Sequence, residues 1–323
     1  MKLNHKILTE RQAWPLDRKI EESKKRIIEW YHAWDGMVSV VFSGGRDSTV
    51  LLHLVRSVFP EVPGVFCNTG LEYPENVRFV KTIENVKVIR PAMPFHKVIE
   101  KWGYPVVSKH IAKQIFEVQS AKGYTATKHL RLTGIKSDGT YSKLGKISEK
   151  WQYLINGPFK ISDKCCNELK KKPAKRYDKE SGTIPFVGTM AEESKGRVAS
   201  YLMRGCNAYD GKRPRSAPLS FWLQKDIIDY LNLFKVQYSP IYDKGYQRTG
   251  CMWCMFGVHL EYQQTGTNRF IRMEQTHPRH WDYCINRLGI GRVMDFIGVP
   301  YEDKQMKLFE PTTGTNSQSK EVG

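Results

Sequence analysis

The run Met37-Val38-Ser39-Val40-Val41-Phe42 leads directly into Ser43-Gly44-Gly45-Arg46-Asp47-Ser48, and Thr49-Val50-Leu51-Leu52-His53-Leu54-Val55 follows. The first part is short, apolar and β-branched, the text of a buried strand. The last part has helical spacing. Between them, two glycines allow positive φ and a close approach of backbone to a ligand. Consecutive amides at the start of a helix form an oxyanion site, so strand, glycine loop and helix together predict a phosphate grip. Ser43 and Ser48 can add hydroxyl donors. Asp47 beside phosphate implies either a helix cap or a shared Mg²⁺. The loop is not a Walker A sequence, which needs Gly-Lys-Ser/Thr, nor a Gly-x-Gly-x-x-Gly fingerprint.

The rest of the chain repeats the strand–helix alternation. A helix is expected over 17–34, strands over 62–68, 86–90 and 183–188, and helices from Pro74 and over 221–234. Such alternation predicts an α/β fold, a doubly wound parallel sheet with helices on both faces. Residues 109–154 are polar and weakly periodic, with a turn at Ser137-Asp138-Gly139, and read as helices plus a surface insertion. The expected divisions are a helical segment over 1–35, a nucleotide-binding α/β domain over 36–235, and a C-terminal part over 236–309. A Thr-, Ser- and Lys-rich tail over 310–323 is expected to be disordered.

Charge narrows the partners. A formal net charge of +18 exceeds what solubility needs and favours a polyanionic partner such as nucleic acid, or a highly charged substrate. The basic residues cluster at Lys160, Lys164, Lys170, Lys171, Lys172, Lys175 and Arg176, and at Lys212-Arg213-Pro214-Arg215. No apolar run approaches the roughly 18–20 residues of a membrane span, and the N-terminus has no signal-peptide stretch, so the cytoplasm is the expected compartment and no membrane partner is expected.

Seven cysteines are too few and too unevenly placed for a disulfide scaffold. Four form two tight pairs, Cys165-Cys166 and Cys251-x-x-Cys254, whereas Cys67, Cys206 and Cys284 stand alone. One Cys-x-x-Cys pair is compatible with a redox dithiol, a zinc half-site or plain packing. A second pair sharpens this toward four-cysteine metal binding, by Zn²⁺ or by an iron–sulfur cluster.

The loop Ser-Gly-Gly-x-Asp-Ser resembles that of the PP-loop ATP pyrophosphatases, and within them the phosphoadenosine/adenosine phosphosulfate reductase family. Cys67-Asn68-Thr69-Gly70-Leu71-Glu72-Tyr73-Pro74-Glu75 is similar to that family's Asp-Thr-Gly-x-x-Phe/Tyr-Pro-Glu, with Asn68 where the family usually has Asp. Cys165-Cys166-x-x-x-Lys170-x-x-Pro173 and Tyr242-Asp243-x-Gly245-Tyr246-x-x-x-Gly250-Cys251-x-x-Cys254 resemble the two cysteine segments of the adenosine phosphosulfate reductases, with Leu169 in place of an arginine. The resemblance implies an adenine nucleotide alpha-hydrolase-like fold with a helical, cluster-binding C-terminal part. It implies ATP at Ser43, Gly44, Gly45, Arg46, Asp47 and Ser48, with Thr69, Gly70, Glu72 and Arg197 adjoining and Mg²⁺ present. It also implies a [4Fe–4S] cluster on Cys165, Cys166, Cys251 and Cys254, tuned by Lys170. Ser43, Asp47 and Ser48 are the catalytic candidates, and Arg197 and Arg248 the anion contacts.

Two departures redirect the activity. Reductases of this family attack sulfate with a cysteine in a C-terminal Glu-Cys-Gly segment, and this chain has no cysteine after Cys284. In Gly188-Thr189-Met190-Ala191-Glu192-Glu193-Ser194-Lys195-Gly196-Arg197, similar to Gly-x-Arg-x-x-x-Ser-x-x-Arg, Met190 replaces an arginine that serves the anionic substrate. A thioether cannot imitate its bidentate contact. The expectation is therefore an ATP pyrophosphatase that activates an oxygen for sulfur incorporation, as in the ATP pyrophosphatase subunits of DNA phosphorothioation systems. Its partners would be a cysteine desulfurase or another sulfur-donor protein, and nucleic acid. The alternatives are a phosphosulfate reductase using Cys284 or Cys206, and a non-catalytic nucleic-acid-binding sensor. For nucleic-acid binding, Lys171 and Arg213 are candidate phosphate contacts.

Overall fold

The computed structural model describes residues 3–211 and 213–303, so the expected tail over 310–323 lies outside the described residues. By compactness the chain divides into two units, 1–256 and 257–323. The sequence expectation divides it at 235/236 instead. Residues 236–256 stay with the first unit because Met252 N–H donates to Leu71 O at 2.8 Å and Met255–Phe256 pairs with Val106–Val107.

The first unit opens with α1 (His5–Gln12) and α2 (Leu16–Ala33). It then alternates as β1 (Val38–Val41), α3 (Arg46–Arg56), β2 (Gly64–Cys67), α4 (Pro74–Lys81) and β3 (Val86–Ile89). Next come α5 (Phe95–Trp102), β4 (Val106–Val107), α6 (Lys109–Gln119) and α7 (Ala126–Thr133). The cysteine-pair helix follows as α8 (Lys164–Cys166) and α9 (Lys172–Ser181), joined by a π-helical turn over Asn167–Lys171. The unit closes with β5 (Ile184–Val187), α10 (Lys195–Arg204), β6 (Asn207–Ala208), β7 (Arg215–Ser216), α11 (Gln224–Leu233) and β8 (Met255–Phe256).

The main sheet runs β3-β2-β1-β5-β7-β6, parallel throughout except for the antiparallel edge pair β6–β7. The β-branched run explains the centre: β1 pairs with β2 on one side and with β5 on the other, and Val38, Val40 and Phe42 are fully buried. The chain leaves β1 toward β2 and later returns to its opposite side as β5. The crevice beyond the carboxyl end of β1 is therefore the switch point at which open α/β sheets bind ligands, and residues 43–48 lie there.

Helix α3 presents Val50, Leu51, Leu54 and Val55 to the core. A buried ion pair, Lys19 Nζ to Asp226 Oδ2 at 2.6 Å, fixes α2 against α11. The same carboxylate oxygen accepts Leu223 N–H at 2.7 Å and so holds the start of α11. The 109–154 stretch is helical, as expected, with α6, α7 and a 3₁₀ turn at Glu149–Asn156 around a small ribbon pairing Ile135 with Tyr141.

The second unit is helical: α12 (Val258–Thr265), α13 (Arg269–Thr276), α14 (Pro278–Asp282) and α15 (Ile290–Phe296). Asn268 Oδ1 accepts the Phe270 and Ile271 amides and starts α13. Phe270, Met273, Ile290, Val293 and Met294 are buried, as is Cys284.

Candidate functional site

The glycine loop is closely built. Gly44 has φ +73°, and a Cβ there would sit 2.5 Å from Asn76 Oδ1 and 2.8 Å from Val80 Cγ2. Asn76, buried on α4, donates from Nδ2 to Ser43 O at 2.8 Å and so clamps the loop from below. Ser43 and Ser48 share a hydrogen bond at 3.0 Å, and Ser48 Oγ–H donates to Gly45 O at 2.9 Å. Thr49 Oγ1 donates to the same carbonyl at 2.9 Å. The N-cap of α3 is Gly45, with no side-chain cap.

Asp47 therefore does not cap the helix, contrary to one of its two expected roles. It lies in the first turn, near Arg248, Arg197 and Arg46, with a hydrogen bond to Gln224. Burial pushes its carboxyl above the ordinary value, against the pull of Arg248 and Arg197. Burial lowers the Arg197 pKa, and Arg248 nearby lowers it further, with Asp47 opposing. Arg197 also forms an ion pair with Glu193. Loop, Asp47 and two arginines thus meet at one place, as an anionic nucleotide with a polar anchor requires.

Sequence reasoning did not anticipate what covers the loop. Arg46 N–H donates to Tyr242 Oη at 3.0 Å, and the Arg46 guanidinium lies 4.0 Å from the Tyr242 ring centroid and 4.7 Å from that of Tyr238. Arg46, expected on phosphate, is committed to these two tyrosines by cation–π contact. A Cβ on Gly45 would come within 2.5 Å of Thr249 Oγ1 and 3.3 Å of Tyr242 Oη. Lys244 Nζ pairs with Glu75 Oε1 at 2.7 Å, and Tyr73 and Tyr246 rings meet at 4.5 Å, so the 238–249 segment is pinned over α4. Only its Tyr, Gly and Cys spacing hinted at a role.

Two residues beyond Thr249 the same segment reaches the cysteines. Cys165, Cys166, Cys251 and Cys254 line one small cavity with Lys170, walled by Leu71, Phe95, Leu169 and Trp253. Cys165 hydrogen-bonds Cys166, which drives the Cys165 thiol up and the Cys166 thiol down; Lys109, Lys170 and Lys171 also favour the Cys166 thiolate. Burial alone would lower the Lys170 ammonium. Cys251, which it hydrogen-bonds, together with Glu72 and Cys166 outweighs burial and holds it above the usual lysine value.

Glu72 does not line this cavity, but its charge acts on residues there. Its carboxylate accepts Thr69 N–H at 2.9 Å and Thr69 Oγ1–H at 2.8 Å, and it faces Lys170, Cys67 and Cys251. Gly70, at φ +79°, donates its N–H to Asn68 Oδ1 at 3.0 Å. The π-helical turn after Cys166 has a local cause. Pro173 has no N–H for Leu169 O, its α-helical acceptor four residues back. That carbonyl accepts the Cys67 thiol at 3.2 Å instead. Burial and then Glu72 push the Cys67 thiol up to about 11, against Lys170.

Among the described residues no group of three or more His, Cys, Asp or Glu is gathered closely enough to hold a metal ion. Four thiols around one apolar cavity, with a lysine beside them, are instead the donor count and chemistry of a cluster, whose ligands do not converge on one atom.

This chain matches the phosphoadenosine phosphosulfate reductase domain over residues 37–97 and 110–256, well over half its length. It belongs to that family. Membership makes it a PP-loop protein of the nucleotide-utilising type, and the mostly parallel α/β sheet agrees. Among curated relatives, an uncharacterized protein of Methanocaldococcus jannaschii is 22% identical over 84% of this chain and 54% of its own length. A second from that organism is 25% identical over 67% of this chain and 36% of its own length. The chain thus spans about half or less of these two relatives. A phosphoadenosine 5′-phosphosulfate reductase of Xanthomonas axonopodis pv. citri is 24% identical over 64% of this chain and 67% of the relative.

Two solved structures are similar at low scores. The phosphoadenylyl-sulfate reductase of Candida auris is 13% identical, with TM-score 0.43, covering 78% of this chain and 97% of that one. The U34-tRNA thiolase NcsA of Methanococcus maripaludis, with its [4Fe–4S] cluster, is 15% identical, with TM-score 0.36, covering 89% and 84%.

Within this phosphosulfate reductase family member, the isolated thiols are poorly placed for attack. Cys206 is 5% exposed and burial pushes its thiol up to about 12. Cys284 is 0% exposed and burial raises its thiol further still. Met190 is buried, at 1% exposure. Lys171 is exposed. Arg213 is half-buried, and its Nε and Nη2 donate to Asp178 Oδ2 at 2.9 and 2.5 Å, so it is committed within the fold. Among the described residues no helix is long and apolar enough to cross a membrane.

Proposed function

We propose that this chain is an ATP pyrophosphatase that adenylates an oxygen of a nucleic-acid acceptor and so prepares that position for sulfur, as in DNA phosphorothioation. The acceptor oxygen attacks the α-phosphorus of ATP, the Pα–O bond to the β-phosphate breaks, and pyrophosphate leaves. A sulfur nucleophile from a cysteine desulfurase or another sulfur-donor protein then displaces AMP, which carries the acceptor oxygen away; with a persulfide donor, a thiol reductant frees the donor afterwards. Residues 43–48 would hold the nucleotide phosphates, Arg197 and Arg248 would face the charge that develops, and Asp47, which lies near both arginines, would offer an oxygen to Mg²⁺.

The observation that carries this reading over sulfate reduction is the burial of the two isolated thiols that could replace the missing C-terminal cysteine: neither Cys206 nor Cys284 is exposed or acidic enough to act as the reductase nucleophile. Cys165, Cys166, Cys251 and Cys254 would hold the [4Fe–4S] cluster, with Lys170 compensating thiolate charge. When bound there, the cluster would supply redox-active iron close to the nucleotide site. The reductase reading is favoured by the name of the Xanthomonas relative. The test is release of pyrophosphate from ATP by purified protein with Mg²⁺ and a DNA acceptor. Release that Gly44→Ala abolishes supports the proposal; ATP left intact counts against it.

A further inference from the structure

A cavity of about 300 Å³ opens at the end of β5, on the α10 side of the phosphate loop, and of its lining only Arg197 enters the mechanism above. Arg197, Arg204 and Arg215 line it with Ser200, Thr189 and Ser220, and no lining residue is acidic. Arg204 ends α10 and is exposed, whereas Arg215 lies half-buried on β7 and donates from Nη2 to Ser200 Oγ at 3.3 Å. Arg197 belongs to both places, since it also faces Asp47 and Arg248 at the loop. Buried Met190 and Cys206 line the cavity too and bring it no negative charge.

Arg197 is already paired with Glu193, outside the lining, so the positive charge that an anion in this concave space would meet comes chiefly from Arg204 and Arg215, with no carboxylate among the lining residues. Planar donors match the oxygens of a phosphate. The volume suits a group of nucleotide size. The departure at Met190 also acquires a sense: guanidinium groups absent at that position are present at 204 and 215.

We propose that this cavity is a second oxyanion site, which receives a phosphate group of the nucleic-acid acceptor while the loop holds ATP. The acceptor assignment rests on the function proposed above; the site itself can be tested without turnover. The experiment titrates the purified full-length protein with a single-stranded oligonucleotide, with inorganic pyrophosphate and with ATP, at several salt concentrations. Arg204→Gln/Arg215→Gln should weaken the oligonucleotide about tenfold or more for each guanidinium removed. It should reduce the slope of log affinity against log salt by roughly 0.7 for each lost contact. ATP affinity should stay within twofold, and Arg204→Lys/Arg215→Lys should restore most of the salt slope.

Should the double variant unfold, Arg204→Gln alone, at an exposed helix end, reads the same quantities. Unchanged oligonucleotide affinity and slope in a folded variant would overturn the proposal. Loss of pyrophosphate binding with the oligonucleotide unaffected would overturn it too, in favour of a product site. A parallel loss of ATP affinity would show the cavity to be part of the nucleotide site and equally defeat it. Absence of pyrophosphate release would sink the pyrophosphatase reading and leave this binding result standing.

Discussion

Replacing either loop glycine by alanine should give opposite kinds of defect. At Gly44 the backbone is left-handed, with φ +73°, which costs a residue bearing a Cβ about 1–2 kcal/mol. The new methyl would also press to 2.5 Å from Asn76 Oδ1 and 2.8 Å from Val80 Cγ2, and overpacking of that kind costs about 1–3 kcal/mol. Gly44→Ala is therefore destabilised by about 2–5 kcal/mol in total. At about 2–4 °C per kcal/mol, its thermal midpoint falls by roughly 4–20 °C. Gly45 has an ordinary φ of −76°, and its methyl would meet chiefly Thr249 Oγ1 at 2.5 Å, the end of a side chain that can turn away. Gly45→Ala should cost less than about 1 kcal/mol. It should weaken the cover over the loop, and Thr249→Ala added to it should relieve the remaining crowding. Circular dichroism melts of the four proteins, followed by ATP titration, check this. A Gly44→Ala protein melting with the wild type, or a Gly45→Ala protein falling as far as Gly44→Ala, would refute the loop geometry.

Other outcomes follow from the same contacts. Because burial holds the Asp47 carboxyl above its ordinary value, the native state binds that proton more tightly than the unfolded chain does. Its stabilising effect is then complete below about pH 3.9 and is lost as pH rises through the raised value. Asp47→Asn should accordingly melt higher than wild type at pH 7 while losing pyrophosphate release; a lower midpoint would contradict this. Lys171→Ala should reduce the salt slope of nucleic-acid binding by roughly 0.7–0.9, whereas Arg213→Ala should leave it unchanged and lower the melting temperature by unpairing Asp178. Cys206→Ser and Cys284→Ser should retain pyrophosphate release with reduced stability, and loss of turnover in either, at full folding, would restore the reductase nucleophile.

The parts written in local pattern were legible. The strand at 38–41, the glycine loop, the helix after it, and the strands at 64–67, 86–89 and 184–187 all follow from β-branched runs and turn residues. Both cysteine pairs were readable, and they do share a cavity. What escaped depends on contacts far apart in sequence. Tyr242 reaches an amide 196 positions away, and nothing near it in sequence announces that partner. Arg46 read as a phosphate ligand because the loop's own text cannot show two tyrosines stacked on it. The two-residue strands β6 and β7 are too short for any period to register, yet β7 carries Arg215 to the second cavity. Pro173, Leu169 and Cys67 form one device, in which a missing amide frees a carbonyl for a thiol 102 positions away.

The central claim is that the loop spends its nucleotide as ATP, releasing pyrophosphate, with no thiol attack on an activated sulfate. A single competition assay tests it: purified protein with Mg²⁺, a DNA acceptor and a dithiol reductant receives ATP and phosphoadenosine phosphosulfate together. Pyrophosphate and adenylated acceptor in equal amounts, with no sulfite, is the predicted result. Sulfite production with ATP left intact would contradict the account.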